Sequence, residues 1–465
     1  MKKRSLRIDG IWLPALLFLV ALASQAQTVT TLATFTGSNG AYPEAGLMQG
    51  TDGNFYGTTS GGIFKHQFYP GTAFKMTPDG TLTTIAELGR HRGTNTVAGL
   101  VQATNGYFYG AIREGGPGRS GTIFAISPAD ILRTLYHFCL SECTSEYPTA
   151  TLMQALDGDL YSTAYSGAIY KMTPGGALTF LHYFSGPDGA APWSGVIQAM
   201  DGNFYGTTQY GGAPCAIVHG DGGCGTVYKM TPDGTVTTLH SFCAQTGCPD
   251  GAEPFARVIQ ATDGSLYGAT FAGGGGDCTN GPGGCGVAFK ITTDGAFTTL
   301  AALGVSGAIT PQSSFVQGTD GNFYDTGFQG VFQMTPTGVV RVLYLFVEEA
   351  SVASVIQATD GNFYGTTQGG VDNAGTVFRF SRGLGPFVKV QPPAGLVGRA
   401  VTILGTNLAG AASVTFNGTP VSSFTINATN TAITTTVPAG ASTGYVEVVT
   451  LTGTLKSNVE FRVKI

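Results

Sequence analysis

Gln198-Ala-Met-Asp-Gly-Asn-Phe-Tyr-Gly-Thr-Thr208 recurs, with small changes, seven times along this chain. The copies open at Gln49, Gln102, Gln154, Gln198, Gln260, Gln317 and Gln357, 40 to 62 residues apart. A period near 50 with several short strands per unit is the pattern of a β-propeller blade. Behind each copy comes a second phrase, clearest as Gly225-Thr-Val-Tyr-Lys-Met-Thr-Pro-Asp-Gly-Thr-Val-Thr-Thr-Leu-His-Ser-Phe242. Six of these are complete, and the seventh stops after Gly375-Thr-Val-Phe-Arg-Phe380. The stretch Thr28-Val-Thr-Thr-Leu-Ala-Thr-Phe35 matches Thr235 to Phe242 in register and supplies the missing piece. A beginning that completes the last repeat pairs two edges that an open array would leave exposed. The sequence therefore predicts an all-β fold: a seven-bladed propeller of four-stranded blades, closed by its N-terminal strand.

Composition agrees. Only 11% of the 465 residues are charged, and 71 glycines with abundant threonine fit strands joined by many turns. No helical periodicity runs through the chain beyond its first residues. Those first residues read as an export signal: Lys2, Lys3, Arg4 and Arg7, then the apolar run Ile11 to Ala23, then Ser24-Gln25-Ala26. Cleavage is expected after Ala26, with Ala23 as the rival. A membrane anchor is disfavoured because the run is short for a span of about 20 residues. Removing residues 1–26 takes away four positive charges and one negative (Asp9), so the net charge of −5 becomes −8. That balance argues against a nucleic-acid partner.

Within the fourth repeat, strand a covers Val196 to Ala199, strand b Phe204 to Thr208, strand c Thr226 to Thr231 and strand d Thr235 to Phe242. Asp-Gly turns make the a–b and c–d connections short and uniform. The b–c and d–a connections are long, glycine-rich and different in every repeat. In an antiparallel four-strand sheet both long classes emerge on one face, and variable loops on a rigid scaffold are where binding resides. Eight cysteines fall in those loops at matching positions: Cys139/Cys143 and Cys243/Cys248 after strand d, Cys215/Cys224 and Cys278/Cys285 before strand c. Local pairing in an exported chain predicts four disulfides that staple the loops. No cysteine–histidine spacing of a zinc site occurs, and neither metal nor cofactor is expected.

The repeats, through Asp-Gly-Asn-Phe-Tyr-Gly-Thr-Thr and Gly-Thr-Val-Phe-Lys-Met-Thr-Pro-Asp-Gly, resemble the choice-of-anchor GloVer tandem-repeat family over residues 28–380. That resemblance implies an exported bacterial protein. Leu384-Gly-Pro386 reads as a linker, and residues 387–465 as a separate strand-rich domain. The order Pro392-Pro-Ala-Gly-Leu-Val-Gly398, Val401-Thr-Ile-Leu-Gly-Thr-Asn407, Val414-Thr-Phe-Asn-Gly418 and Thr434-Thr-Thr-Val-Pro438 resembles the IPT/TIG immunoglobulin-like family. This implies a β-sandwich with an interaction or spacer role. The surface-sorting tail common in GloVer proteins has no counterpart before Ile465, which leaves the sandwich as the expected attachment module.

Recurring side chains are expected to serve the scaffold. The seven glutamines are read as satisfying backbone groups within their own blades. Tyr56, Tyr109, Tyr161, Tyr205, Tyr267, Tyr324 and Tyr364 are read as inter-blade packing, and Asp52 and its equivalents as turn residues. No Ser/His/Asp order or nucleophile elbow is present, so no catalytic residue is assigned. Residues that break the symmetry point to function. Trp193, the one tryptophan beyond the leader, and Phe255 occupy matching positions after a proline in adjacent repeats. Tyr210 and Phe271 open the neighbouring b–c loops. These four form the candidate ligand site, with anchoring of their own loops as the structural alternative. The reading is a secreted or surface-associated, monomeric, non-enzymatic binding or scaffold protein. Its expected partner is a glycan or a cell-surface protein. The alternative is a propeller lyase or glycan hydrolase: convergent carboxylates at the channel mouth favour that enzyme, and an aromatic, charge-poor mouth favours binding.

Overall fold

A computed structural model describes residues 28–88, 96–139, 146–215, 222–275, 284–304, 311–327, 330–346, 350–351, 353–369 and 374–464. The expected leader, residues 1–26, lies outside them, as do Cys143 and Cys278. Among the described residues there is no helix, and every regular element is a strand. None of these residues forms a helix long and apolar enough to cross a membrane.

Seven four-stranded antiparallel sheets follow one another, spanning residues 48–88, 101–137, 153–183, 197–241, 259–302, 316–345 and 356–381. We number them 1 to 7 and keep the letters a to d for their strands. In sheet 4 these are Ile197–Gln198, Phe204–Thr208, Thr226–Met230 and Val236–Ser241. Strand d of sheet 7 is the first described strand, Thr28–Thr34, which runs from Thr28 opposite Ser381 to Thr34 opposite Thr376. The Asp-Gly hairpins fall where the sequence places them, with Gly53, Gly202 and Gly321 in the left-handed region.

The sheets are fastened to one another by the recurring phrases. The side-chain oxygen of each glutamine accepts the backbone N–H two residues past the preceding sheet's glutamine. Gln102 takes Thr51, Gln154 Thr104, Gln198 Leu156, Gln260 Met200, Gln317 Thr262 and Gln357 Thr319, all at 2.7–3.0 Å. Gln49 of sheet 1 takes Thr359 of sheet 7 at 3.0 Å. The amide nitrogen stays at home: Gln154, Gln198, Gln260, Gln317 and Gln357 donate to the carbonyl of their own turn glycine. The expectation that these amides serve only their own blades is thus corrected for half of each amide. A primary amide carries both donor and acceptor, and the acceptor reaches across.

Tyrosine packing follows the same order. Tyr56 stacks on Phe108, Tyr161 on Phe204, Tyr267 on Phe323, Tyr324 on Phe363 and Tyr364 on Phe55, with centroids 4.1–4.3 Å apart. Tyr109 and Tyr205 meet Leu160 and Leu266 instead, which replace the phenylalanine in sheets 3 and 5. Each tyrosine hydroxyl is tied to its hairpin: Tyr205 to Asp201 at 2.7 Å, Tyr364 to Asp360 at 2.8 Å, Tyr109 to Asn105 at 2.9 Å. The aspartates are therefore more than turn formers. They satisfy the hydroxyl of a buried tyrosine that could not otherwise stack cheaply.

Strand d carries a bulge at one position in all seven sheets, for example between Val227 and Tyr228 opposite His240 and Thr238. The skipped residue in sheet 4 is Leu239, and in sheet 7 Leu32. Such a bulge bends the outer strand. It brings that residue onto the c–d turn of the next sheet: a Cβ on Gly234 would lie 2.9 Å from the Leu181 carbonyl, and one on Gly80 2.5 Å from that of Leu32. Both glycines have positive φ, 94° and 98°.

The C-terminal region is a sandwich. One sheet holds Lys389–Gln391, Ala400–Leu404, Ala432–Thr436 and Phe424–Ile426; the other holds Thr419–Pro420, Ser413–Phe416, Val446–Thr450 and Gly453–Lys456. Val401, Ile403, Val414, Phe416, Ile433, Val446 and Phe461 fill the space between them. The sandwich stands on a–b turns of sheets 1 and 7: Asn427 and Thr431 donate to the Thr51 carbonyl at 2.8 Å, and the Phe387 N–H donates to Thr359 at 3.0 Å.

Candidate functional site

The long connections lie at the opposite ends of strands a and b from those turns, and they pair with one another. Pro148 bridges Ala164, Ala190 Tyr210, Ala252 Ala272 and Pro311 Gly327, so the d–a loops entering sheets 3 to 6 meet the end of strand b or the start of its b–c loop. The residue before the proline is left-handed in four of these loops: Tyr42, Tyr147, Ala191 and Glu253, with φ of 57°, 49°, 51° and 55°. Non-glycine residues rarely adopt that conformation, and a following proline disfavours it further. Held there by the bridges, it presents the next-but-one residue at an equivalent point of each sheet. Those residues are Glu44, Thr149, Trp193 and Phe255.

Trp193 and Phe255 meet edge to face, 6.0 Å between centroids. Phe255 packs in turn on Phe271 at 5.2 Å, and Trp193 on Tyr165 at 5.4 Å. The Arg113 guanidinium lies over the Trp193 ring at 5.2 Å, within cation–π range. All are mostly buried and keep some contact with solvent. Three of the four predicted residues are thus brought into one arc across sheets 4 and 5. Among the described residues Tyr210 makes no ring contact with them; its hydroxyl accepts the Gln209 amide at 2.7 Å.

Sequence reasoning missed Arg113, Tyr165 and Gln209. With Ser60 and the predicted Phe271 they share one repeat position, the fourth after the strand-b tyrosine, and aligning the repeats there would have exposed them. Glu253 sits beside Gln209, which hydrogen-bonds its carboxyl; burial outweighs that bond and raises the Glu253 pKa. Burial raises Glu44 too, against Ser60, whose hydroxyl is 3.2 Å away, and against the nearby Arg113 charge. The long-loop surface is therefore aromatic but not charge-poor.

The loops are braced as well as paired. Cys215–Cys224 and Cys243–Cys248 are disulfides. Cys139 and Cys285 are also disulfide-bonded, and their expected partners lie outside the described residues. The sulfurs of Cys215, Cys224 and Cys243 lie within 4.8 Å of one another, which places the first two bridges side by side. The Cys224 carbonyl accepts the Glu253 N–H at 2.8 Å, and the Glu253 carbonyl accepts the Phe271 N–H at 3.0 Å. The bridged loop therefore holds the backbone on which the aromatic arc is built. His182 and His240, without a role in sequence, bond Asp188 at 2.7 Å and Asp250 at 2.9 Å in the neighbouring d–a loops.

Repeated four-stranded sheets carrying a loop-built aromatic site, followed by an immunoglobulin-like domain, define a β-propeller-like repeat protein. The chain belongs to the Gloeobacter/Verrucomicrobia repeat family, which matches residues 18–212 and 163–378, and it carries an IPT/TIG domain at residues 387–463. None of the curated proteins matches it in sequence. Its fold is similar to that of virginiamycin B lyase from Staphylococcus aureus, with TM-score 0.52 and 12% identity over 77% of this chain and 99% of that one. It is also similar to a fungal alcohol oxidase of the AA5 family solved with copper, with TM-score 0.52 and 12% identity over 95% and 99% of the two chains. At such identities the likeness concerns fold alone.

Proposed function

We propose that this is an exported binding protein whose propeller takes a glycan on its long-loop face. In this reading residues 27–383 form a closed seven-bladed ring, residues 384–386 a linker, and the IPT/TIG domain an attachment or spacer module. Closure is supported by the pairing of Thr28–Thr34 with Thr376–Ser381 and by the Gln49–Thr359 bond. Export is supported by the disulfides, which persist in oxidising compartments.

The observation that carries the ligand class is the arc Arg113–Trp193–Phe255–Phe271. Partly exposed rings beside Gln209, Glu253 and Arg113 combine apolar surface with nearby donors and acceptors, the combination that suits a sugar ring. Loops held by disulfides and backbone bridges lose little freedom on binding. A glycan and surface-protein binding screen on the secreted protein tests this; a glycan ligand supports it and a protein ligand alone overturns the ligand class.

The hydrolase reading has its own support in Glu44 and Glu253, two carboxyls at the mouth whose proton affinity burial raises toward that of a general acid. Monitoring reducing ends during the screen, with Glu253→Gln as the control, separates the two readings.

A further inference from the structure

Four residues after the strand-b tyrosine the repeats carry Ser60, Arg113, Tyr165, Gln209, Phe271, Phe328 and Gln368. Arg113 is the one cation in that series, and it stands at the end of the aromatic arc. Its guanidinium lies over rings from two different d–a loops, Trp193 at 5.2 Å and Tyr147 at 6.0 Å. Both loops are fixed. The Tyr147 carbonyl accepts the Tyr165 N–H at 2.9 Å, and the Thr149 hydroxyl donates to the Trp193 carbonyl at 2.9 Å. The two rings attract the cation through their π faces without taking up its hydrogen-bonding directions.

What Arg113 lacks is an acceptor. A guanidinium carries only donors, and among the described residues none accepts from it: Nε is buried without a hydrogen-bond partner. Its one ion pair, from Nε to Glu114 Oε1, spans 3.7 Å, too long for a hydrogen bond. The Glu114 side chain is 42% exposed, so water weakens that pair further. Glu44 feels the Arg113 charge but forms no ion pair with it; its carboxyl takes the Ser60 hydroxyl at 3.2 Å. Glu253, at the far end of the arc, is engaged by Gln209. The arc thus has both carboxyls bonded and its cation unbonded, with 25% of the Arg113 side chain open to solvent.

We propose that the arc selects an acidic glycan, a hexuronate whose carboxylate pairs with the Arg113 guanidinium while its ring packs on the Trp193–Phe255 surface. This rests on the glycan reading and narrows it. A carboxylate is planar and accepts from the planar fork of an arginine on two oxygens, a match that a lysine's point charge does not offer. The negative balance of the whole chain does not oppose the pairing. Charges more than about 10 Å away are screened, whereas a partly desolvated pair acts at contact.

The test is calorimetric titration of the secreted protein with oligomers of galacturonate, glucuronate and mannuronate, each beside its methyl ester. Neutral gluco- and galacto-oligomers and a sulfated galactan oligomer complete the series. At least one uronate binds, and its methyl ester binds about tenfold more weakly or worse. Added salt weakens the acid more than the ester. Arg113→Gln brings acid and ester to about equal affinity, Arg113→Lys keeps only part of the preference, and Trp193→Ala weakens both. An ester or neutral oligomer that binds as tightly as every uronate overturns the inference and leaves the glycan reading standing. An acid-to-ester ratio unchanged in Arg113→Gln does the same, and preference for the sulfated oligomer over every uronate overturns the carboxylate. Binding of none of these sugars by the folded protein overturns both the inference and the glycan reading. Should Arg113→Gln fail to fold, the acid-to-ester ratios of the parent and of Arg113→Lys decide.

Discussion

The side-chain oxygen of Gln49 accepts the backbone N–H of Thr359, a residue 310 positions later, at 3.0 Å. It is the same bond that Gln102 makes to Thr51 and Gln154 to Thr104, carried across the two ends of the array. Gln49→Ala leaves the Thr359 N–H without its partner and should cost roughly 1–3 kcal/mol. Urea unfolding measures this directly, and a cost near zero would mean that water replaces the amide at no loss.

Removal of residues 27–36 uncovers the edge Thr376–Ser381 and deprives Gly80 of the Leu32 backbone against which it packs. Among the described residues, removal of residues 386–465 breaks contacts at the a–b turns of sheets 1 and 7, at Thr51, Gly53 and Thr359. The first truncation should lower the melting temperature of the repeat region far more than the second. A reversed order would place the stability of the repeats in the sandwich.

Asp325 replaces the glycine of the Phe-Tyr-Gly-Thr phrase in sheet 6 and is fully buried. One carboxyl oxygen bonds the Ser313 hydroxyl and the Thr326 N–H; the other has no partner. Burial, only partly offset by those two bonds, pushes its pKa up to about 7. The folded state therefore keeps a proton that the unfolded chain releases near pH 4. Stability from this group is complete below about pH 4 and falls as pH rises to about 7, by an amount on the order of a few kcal/mol. Asp325→Asn should remove that slope, so the variant gains on the parent between pH 4 and 8 in parallel urea titrations. Parallel curves across that range would contradict the burial of an ionisable Asp325.

Non-reducing peptide mapping should return Cys215–Cys224 and Cys243–Cys248. The proximity of three of these sulfurs makes a Cys224–Cys243 bridge the instructive alternative. Finding it would end the account in which each bridge braces its own loop. Cys243→Ser with Cys248→Ser should cost roughly 2 kcal/mol by loop-closure entropy.

Much of this was legible because repetition turns one sequence into seven observations. The Asp-Gly hairpins, the strand order and the completion of sheet 7 by Thr28–Thr34 could be read from phrases in register. The reach of the glutamine oxygen could not, since a within-sheet bond and a cross-sheet bond leave the same recurring residue. The bulge at Leu32 and Leu239 was likewise hidden in the phrase Thr-Thr-Leu, whose alternation gives no sign of the skipped pairing. The polar side of the arc was missed for another reason. Arg113, Gln209 and Glu253 come from three different sheets, and they converge only through the loop bridges and left-handed pre-proline residues. Asp325 was visible as a broken phrase, but its burial was not.

In the proposed site Trp193 is a ligand contact rather than an anchor of its loop. Titration of the glycan found in the screen into the secreted protein and into Trp193→Ala, with melting curves and reducing ends followed in parallel, tests it most directly. Affinity should fall by about tenfold or more while the melting temperature moves by no more than about 2 °C and no product forms. Unchanged affinity together with an early melting transition would make Trp193 a structural residue and contradict the proposed site.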